Sequence, residues 1–334
     1  MSVVEKTKDW LRIFRAQTAP AVLILVLTPY LVAGGKLFSW YALLLAVWSI
    51  FTHHISFGHN TVMDTIMGWD LKDKNKLHHP LIKKRIREKT ALKVIGVGIF
   101  ISFLIAIFLV YISSGNSFYA MSFFCLFLVG GMVYNNGISK VSVWDFIPIS
   151  IGFTALSLYS YFLVATEFGE FIILIALYIF LTEWFEIGIE GEIKEIEIRD
   201  ESNMLRILGT KCDGKTYSMG KSIIYPWLLK LAALGIVGYM LYKFTFNWLT
   251  LSLFIVGGAL ALFFCYELTK KRQWDRKKSL RDMALEEVIS IFLLPIILLP
   301  IIGSLEVFII IVISIIYFVG MNAFIWNTRL APKV

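Results

Sequence analysis

The sequence predicts an all-α polytopic membrane protein, and three observations predict it. Hydrophobic residues make up 58% of the 334 residues and charged residues 17%, against about 45–50% and about 25% in soluble domains. The apolar residues fall into ten runs, each near the roughly 20 residues a helix needs to cross the hydrocarbon core. Runs such as FIILIALYIFL and VFIIIVISIIYFV do not alternate apolar and polar residues as barrel strands do. Backbone groups in lipid must bond internally, so the runs are helices. Mean hydropathy is +0.74.

In order, the runs cover about 19–34, 39–59, 94–113, 118–134, 145–165, 171–190, 223–243, 247–267, 286–303 and 305–327. The pair at the C-terminus is separated only by Gly303-Ser304 and interrupted by Pro295 and Pro300. The loops then set the orientation. The N-terminus carries Lys6, Lys8, Arg12 and Arg15, and the loop after the second run holds nine Lys and Arg between Lys72 and Lys93. The loops after the fourth, sixth and eighth runs are basic as well, whereas the intervening ones (GGKLFS, SSGNS, TEFGE, KFTFN and GSLE) are short and nearly free of Lys and Arg. The positive-inside rule places both termini and all the basic loops in the cytoplasm. No cleavable signal peptide is evident. The net charge of +8 is thereby assigned to a membrane face, and no nucleic-acid partner is expected. Cys125, Cys212 and Cys265 are an odd number at no motif spacing, which suggests neither a disulfide framework nor a zinc site. One domain is expected over 1–334, with long cytoplasmic loops at about 60–93 and 190–221.

Those two loops hold the candidate chemistry. The first begins HNTVMDTIMGWD. Asn60 and Asp64 are spaced i,i+4 and share one helix face. Asp70 follows Gly68, which lets the chain turn back. Two carboxylates and an amide oxygen suit Mg²⁺, which is commonly held through one or two carboxylates plus substrate phosphate and water. The bland reading, solvated acids leaving the bilayer, carries equal weight on spacing alone. The second region reads EWFEIGIEGEIKEIEIRDESNMLRILG. Glu183, Glu186 and Glu190 lie on one face of the sixth run, and carboxylates inside a membrane are by default functional. Of those that follow, Glu190, Glu192 and Glu195 are metal candidates, while Glu197, Asp200 and Glu201 read as a solvated extension paired with Lys194 and Arg199. His53, His54 and His59 lack partners at ligand spacing and read as hydrogen-bonded bundle residues.

Asn60-x-x-x-Asp64-x-x-x-x-x-Asp70, followed by a basic loop and His79-Pro80-Leu81-Ile82, resembles the UbiA superfamily of intramembrane prenyltransferases. The N-T-x-x-D-x-x-x-G-x-D form is most similar to its naphthoate (menaquinone) branch. The opening RIFRAQTAPAVL, Tyr134-Asn135-Asn136-Gly137 with Lys140, and Asn203-Met204-Leu205-x-x-Leu208-Gly209 are also similar to family segments. The resemblance spans roughly residues 10–270. It implies a bundle of nine to ten transmembrane helices around a central cavity, with the two acidic motifs facing each other under a cytoplasmic cap. It also implies Mg²⁺-dependent transfer of a prenyl group from a polyprenyl diphosphate to a small acceptor, here an aromatic quinone precursor. On that resemblance Asn60, Asp64 and Asp70, with Glu192 and Glu195 from the second loop, hold metal. Asp64, Glu192 and Glu195 act in catalysis. Asn60, Arg15, Lys76, Lys84, Tyr134 and Lys140 contact substrate. The sequence departs from the family at the second motif, where no carboxylate pair matches D-x-x-x-D in register, and at His79, where the family has Arg. A glycerol-lipid acceptor or a membrane terpene cyclase would keep the same fold. A competing reading from another class is an ion-coupled carrier built on Glu183 and Glu186.

Overall fold

The computed structural model describes residues 2–73, 76–136, 144–197 and 203–328. The N-terminal segment VVEKTKDWLRI forms helix α1 (Val3–Ile13), started by Ser2, whose Oγ accepts the Glu5 N–H at 3.2 Å. Arg15 then takes a left-handed conformation, φ +46°. The chain turns by 58° there and enters α2 (Ala19–Val32).

Each of the ten apolar runs forms a helix. After α2 come α3 (Trp40–Ile66), α4 (Glu88–Tyr111), α5 (Ser117–Asn135), α6 (Phe146–Phe162) and α7 (Glu170–Phe185). The second half holds α8 (Ile224–Met240), α9 (Trp248–Thr269), α10 (Arg276–Ile297) and α11 (Ser304–Trp326). Polar residues start several of them. Ser39 accepts the Ala42 N–H, Asn116 accepts the Tyr119 N–H, and Asn247 exchanges bonds with Thr250 in a capping box. Among the described residues seven helices are long and apolar enough to span a membrane, or eight if the bent α1/α2 pair counts as one span. Two of the ten expected runs fall outside that count for physical reasons. At 17 residues α6 is short. In α10 the helix begins ten residues earlier than the apolar run, on the charged stretch RKKSLRD. It breaks at Leu298 ahead of the turn Leu299–Ile302, and Gly303, at φ +107°, starts α11.

The interior is built by residues that the helices turn away from lipid. Trp48 is fully buried, packs against Tyr159 and Phe124, and donates its indole N–H to the Ser102 carbonyl at 3.0 Å. Small residues let α5 and α6 approach closely: a Cβ on Gly130 would strike the backbone of Pro148. On α4, Val97, Phe100, Leu104 and Phe108 stay exposed, forming the apolar face that lipid covers. An apolar groove of about 280 Å³ opens between α5, α6 and α7, lined by Phe123, Leu158, Leu177 and Phe180 among others. None of the polar site residues lines it.

The loops are where the fold departs from an all-helical expectation. A small antiparallel sheet, β1 (Lys211–Cys212), β2 (Thr216–Ser218) and β3 (Arg272–Gln273), joins the α7–α8 loop to the α9–α10 loop. Asp213 accepts the N–H groups of Lys215 and Thr216, which closes the β1–β2 turn and holds its carboxyl below the usual range. The helix α7 also does not end where its apolar run does. It continues as a π-helical turn, Glu186–Gly191, and one α-turn, Glu192–Glu195. That extension carries the second acidic motif to the same end of the bundle as the first.

Candidate active site

The first motif sits on the last two turns of α3. Asn60 and Asp64 are buried there, 8% and 6% exposed. Gly68, at φ +81°, reverses the chain into the short turn Trp69–Lys72. The reversal returns Asp70 to the helix it left: Thr65 Oγ1 donates to Asp70 Oδ2 at 3.3 Å. Asp70 is buried and takes Lys76 Nζ on its other oxygen at 2.6 Å. Arg15, at the α1/α2 bend, donates Nε to Thr61 Oγ1 at 3.2 Å and brings Nη2 to 3.8 Å from Asp64. The unusual backbone of Arg15 is thus spent on bringing a guanidinium to the first motif. The structure therefore brings together Arg15, Asn60, Asp64, Asp70 and Lys76.

His79 joins this group. It is buried, and that burial pushes its imidazole down to about 4, with Asp70 drawing it up and Lys76, Arg15 and His78 adding to the fall. At neutral pH His79 is an uncharged neighbour of Asp70. It does not replace the charge of the family's Arg.

The second motif divides. Glu192 is 3% exposed. Its two carboxylate oxygens accept the N–H groups of Met204 and Leu205 at 2.9 and 2.7 Å, and its carbonyl accepts Asn203 Nδ2. Asn203 in turn caps the turn Met204–Ile207 by accepting the Arg206 N–H at 3.0 Å. Glu192 is thus the anchor of the returning loop. Glu195 is half-buried one turn further on. Between them Lys194 lies within electrostatic reach of Arg15, Lys76, Arg276 and Glu195. The sequence reading gave Lys194 to a solvated extension. In the structure it is an electrostatic neighbour of Arg15 and Lys76, the cations of the first motif, and the three are termed the basic layer. Arg276 bonds Asp73 at 2.6 Å and approaches Glu197 at 3.9 Å, which links the α3–α4 loop, the α7–α8 loop and the start of α10.

Other expectations fall apart from this cluster. Lys84 is solvent-exposed at a left-handed position, φ +54°, and no carboxylate pairs with it among the described residues. Its backbone N–H is taken by the Leu81 carbonyl. Tyr134 packs half-buried against the main hydrophobic core near the end of α5. Its neighbour Asn135 ties α5 to α3 by reaching the Ser56 carbonyl and His59. Lys140, Arg199, Asp200 and Glu201 lie outside the described residues.

A second polar layer was missed by the sequence reading except for its α7 members. Lys230 of α8 is 2% exposed and is paired with Glu286 of α10, itself fully buried. Ser290 bonds both partners, at 2.7 Å to Glu286 and 3.2 Å to Lys230. Glu186 and Glu190 of the α7 extension are electrostatic neighbours of this pair, and Glu183 near the end of α7 is a neighbour of Glu287. The available signal was a lysine inside the apolar run WLLKLAALG and a Glu-Glu pair opening the ninth run.

Asn60, Asp64 and Asp70 supply three hard oxygen donors at one helix end, which fits a Mg²⁺ ion that keeps waters and takes its remaining ligands from a phosphate group. Among the described residues no three His, Cys, Asp or Glu lie close enough to cage a metal without such help.

No family model and no curated protein matches the sequence. Solved structures do. A structure of digeranylgeranylglyceryl phosphate synthase is similar over 95% of this chain and 99% of its own, at 16% identity and TM-score 0.56. A UbiA homologue from Archaeoglobus fulgidus bound to GPP and Mg²⁺ is similar over 91% of this chain and 99% of its own, at 16% identity and TM-score 0.55. The same organism's UbiA homologue bound to DMAPP and Mg²⁺ gives 14% identity and TM-score 0.56 over the same shares. Over nearly its whole length, the chain is a multi-pass membrane protein with the UbiA fold.

Proposed function

We propose that the chain is a Mg²⁺-dependent intramembrane prenyltransferase acting on a prenyl diphosphate at the cytoplasmic end of its helix bundle. The observation that carries the reading is the pairing of a basic layer, Arg15, Lys76 and Lys194, with the oxygen donors Asn60, Asp64 and Asp70 on a UbiA fold. In the transfer the bond between the allylic carbon and the diphosphate oxygen breaks, and its electron pair leaves with diphosphate. The acceptor nucleophile bonds to the carbon and releases one proton. Arg15, Lys76 and Lys194 are placed to receive the charge that builds on the departing oxygens. Asn60, Asp64 and Asp70 would hold the Mg²⁺, with Glu195 the contributor from the second motif, since both Glu192 oxygens accept backbone N–H groups. When bound, the ion neutralises diphosphate and so makes it a better leaving group. Glu192 serves the site by fixing the loop that brings Lys194 and Glu195 to it.

The form of the first motif supports an aromatic quinone precursor as acceptor. The likeness to a structure of digeranylgeranylglyceryl phosphate synthase supports a second reading, a glycerol-type acceptor. We read the chain as one domain with both termini cytoplasmic. The test is release of pyrophosphate from geranyl diphosphate by the full-length protein in lipid nanodiscs. Release that requires Mg²⁺ and stops with EDTA is expected. Proton-coupled uptake by proteoliposomes without any diphosphate chemistry would favour the carrier instead.

A further inference from the structure

Two cations of the basic layer come from segments that share no helix. Arg15 stands at the bend between α1 and α2, and Lys76 on the α3–α4 loop. A carboxylate outside the layer joins both carriers. Asp9 of α1 is 1% exposed. Its Oδ1 accepts Arg12 Nη1 at 2.8 Å and Arg85 Nη2 at 2.8 Å, and its Oδ2 accepts Arg85 Nε at 2.7 Å. Arg85 belongs to the α3–α4 loop and is gripped through both Nε and Nη2, a bidentate geometry that fixes direction as well as distance.

Hydrogen bonds continue from each arginine. The Arg85 N–H is donated to the Pro80 carbonyl at 2.9 Å, which closes the turn beside His79. The His79 N–H bonds the Lys76 carbonyl at 2.8 Å, and Lys76 Nζ ends on Asp70. On the other side Arg12 Nη2 donates to the Ile325 carbonyl at 3.0 Å, near the end of α11, and its guanidinium lies 5.2 Å from the Trp326 ring centre. His78 meets the same tryptophan edge-on at 5.8 Å. The α1 helix, the loop and the end of α11 are thus tied together at Asp9. Ile13, Val62, Leu81 and Ile86 pack in the same region, but apolar contact is non-directional. The paired charges fix the angle at which α1 enters the bend. Arg15 depends on that angle, because its backbone at φ +46° is a conformation that persists only where the surroundings hold it.

We infer that Asp9 is a positioning residue for the prenyl diphosphate. By clamping Arg85 and Arg12 it holds α1 against the α3–α4 loop, and so sets Arg15 and Lys76 on the diphosphate together. The inference rests on the transferase reading above. Removing the charge of Asp9 leaves Arg12 and Arg85, which share its Oδ1, facing each other without the anion between them.

The test is steady-state kinetics of full-length Asp9→Asn in nanodiscs with geranyl diphosphate and Mg²⁺. The KM for geranyl diphosphate is expected to rise at least tenfold while kcat falls less than threefold. A purely structural role would reduce the folded fraction, and therefore kcat, and leave KM alone. Asp9→Glu keeps the charge and is expected to bring the raised KM back at least threefold. In an Arg15→Met background the effect of Asp9→Asn on KM should shrink at least threefold. Glu5→Gln, which removes a charge from the exposed side of α1, should change KM less than twofold. Should Asp9→Asn not fold, Arg85→Gln breaks the clamp from its more exposed end and is expected to raise KM at least threefold. Wild-type turnover with a KM unmoved by Asp9→Asn, or by Arg85→Gln in its place, overturns the positioning role alone. Calorimetry with inorganic pyrophosphate and Mg²⁺ separates the two readings. Pyrophosphate binding that Asp9→Asn weakens at least tenfold, without any turnover of geranyl diphosphate, leaves the positioning role standing and overturns the transferase reading.

Discussion

Asp64 holds Arg15 at 3.8 Å, and Arg15 is in turn an electrostatic neighbour of Lys194 from the far side of the sequence. Removing Asp64 should deprive the site of an oxygen donor and leave Arg15 without its carboxylate. Asp64→Ala is expected to lower Mg²⁺-dependent pyrophosphate release at least 100-fold, about 2.7 kcal/mol in the barrier, with the protein still inserted and folded. Wild-type turnover at limiting Mg²⁺ would refute the metal assignment. Lys194→Met should raise the KM for geranyl diphosphate at least tenfold, whereas Lys84→Met should change it less than twofold. Steady-state kinetics on the two variants separates the basic layer in the structure from the basic loop in the sequence. Glu192 makes a different prediction, because its oxygens are occupied by backbone donors. Glu192→Ala strands two N–H groups, one of them buried, and should cost about 1–3 kcal/mol of stability. A midpoint shift on denaturant unfolding would register it. An unchanged midpoint with a tenfold higher Mg²⁺ requirement would return Glu192 to the metal. At this scale the first motif was legible because its residues are local: i,i+4 spacing places Asn60 and Asp64 on one face without knowledge of the fold. The Lys230–Glu286 pair and the approach of Lys194 to Arg15 join distant segments, and periodicity reads one helix at a time.

Helices carry these residues to one end of the bundle, and their terminations matter more than their middles. The middles of the ten apolar helices, α2 to α11, were readable from apolar runs. The ends were not, since tertiary contacts extend α3, α7 and α10 past the point where hydropathy falls. In α7 the extension runs through a π-helical turn, a register change with no sequence period and one that often accompanies function. Gly68 is the corresponding device in the first motif. A Cβ there would meet nothing within 4 Å, so space does not demand glycine, but φ +81° does. Gly68→Ala is expected to cost roughly 1–2 kcal/mol in a left-handed conformation and to loosen Asp70 from Thr65 and Lys76. Gly68→Asn, which tolerates that conformation better, should recover most of both losses. Unfolding midpoints and Mg²⁺ titrations of the pair provide the check. If Ala and Asn behave alike, the backbone conformation is not what positions Asp70.

At the scale of the whole molecule, the site depends on which side of the membrane the basic loops face. Sequence charge and structure agree on which end of the bundle holds the chemistry. The α3–α4 loop, the α7 extension and the start of α10 meet there through Asp73, Glu197 and Arg276. Only the charge asymmetry says that this end is cytoplasmic. Moving a loop with nine Lys and Arg across a bilayer is disfavoured. The opposite end presents short, weakly charged connections such as TEFGE. Lys83 and Glu167 are both exposed and belong to opposite ends. In a background lacking Cys125, Cys212 and Cys265, Glu167→Cys should react with an impermeant maleimide on intact cells. Lys83→Cys should react only after permeabilisation. The reverse pattern would invert the protein. It would place the diphosphate site on the outer face, where a substrate made in the cytoplasm could not reach it, and the transferase reading would fall with the topology.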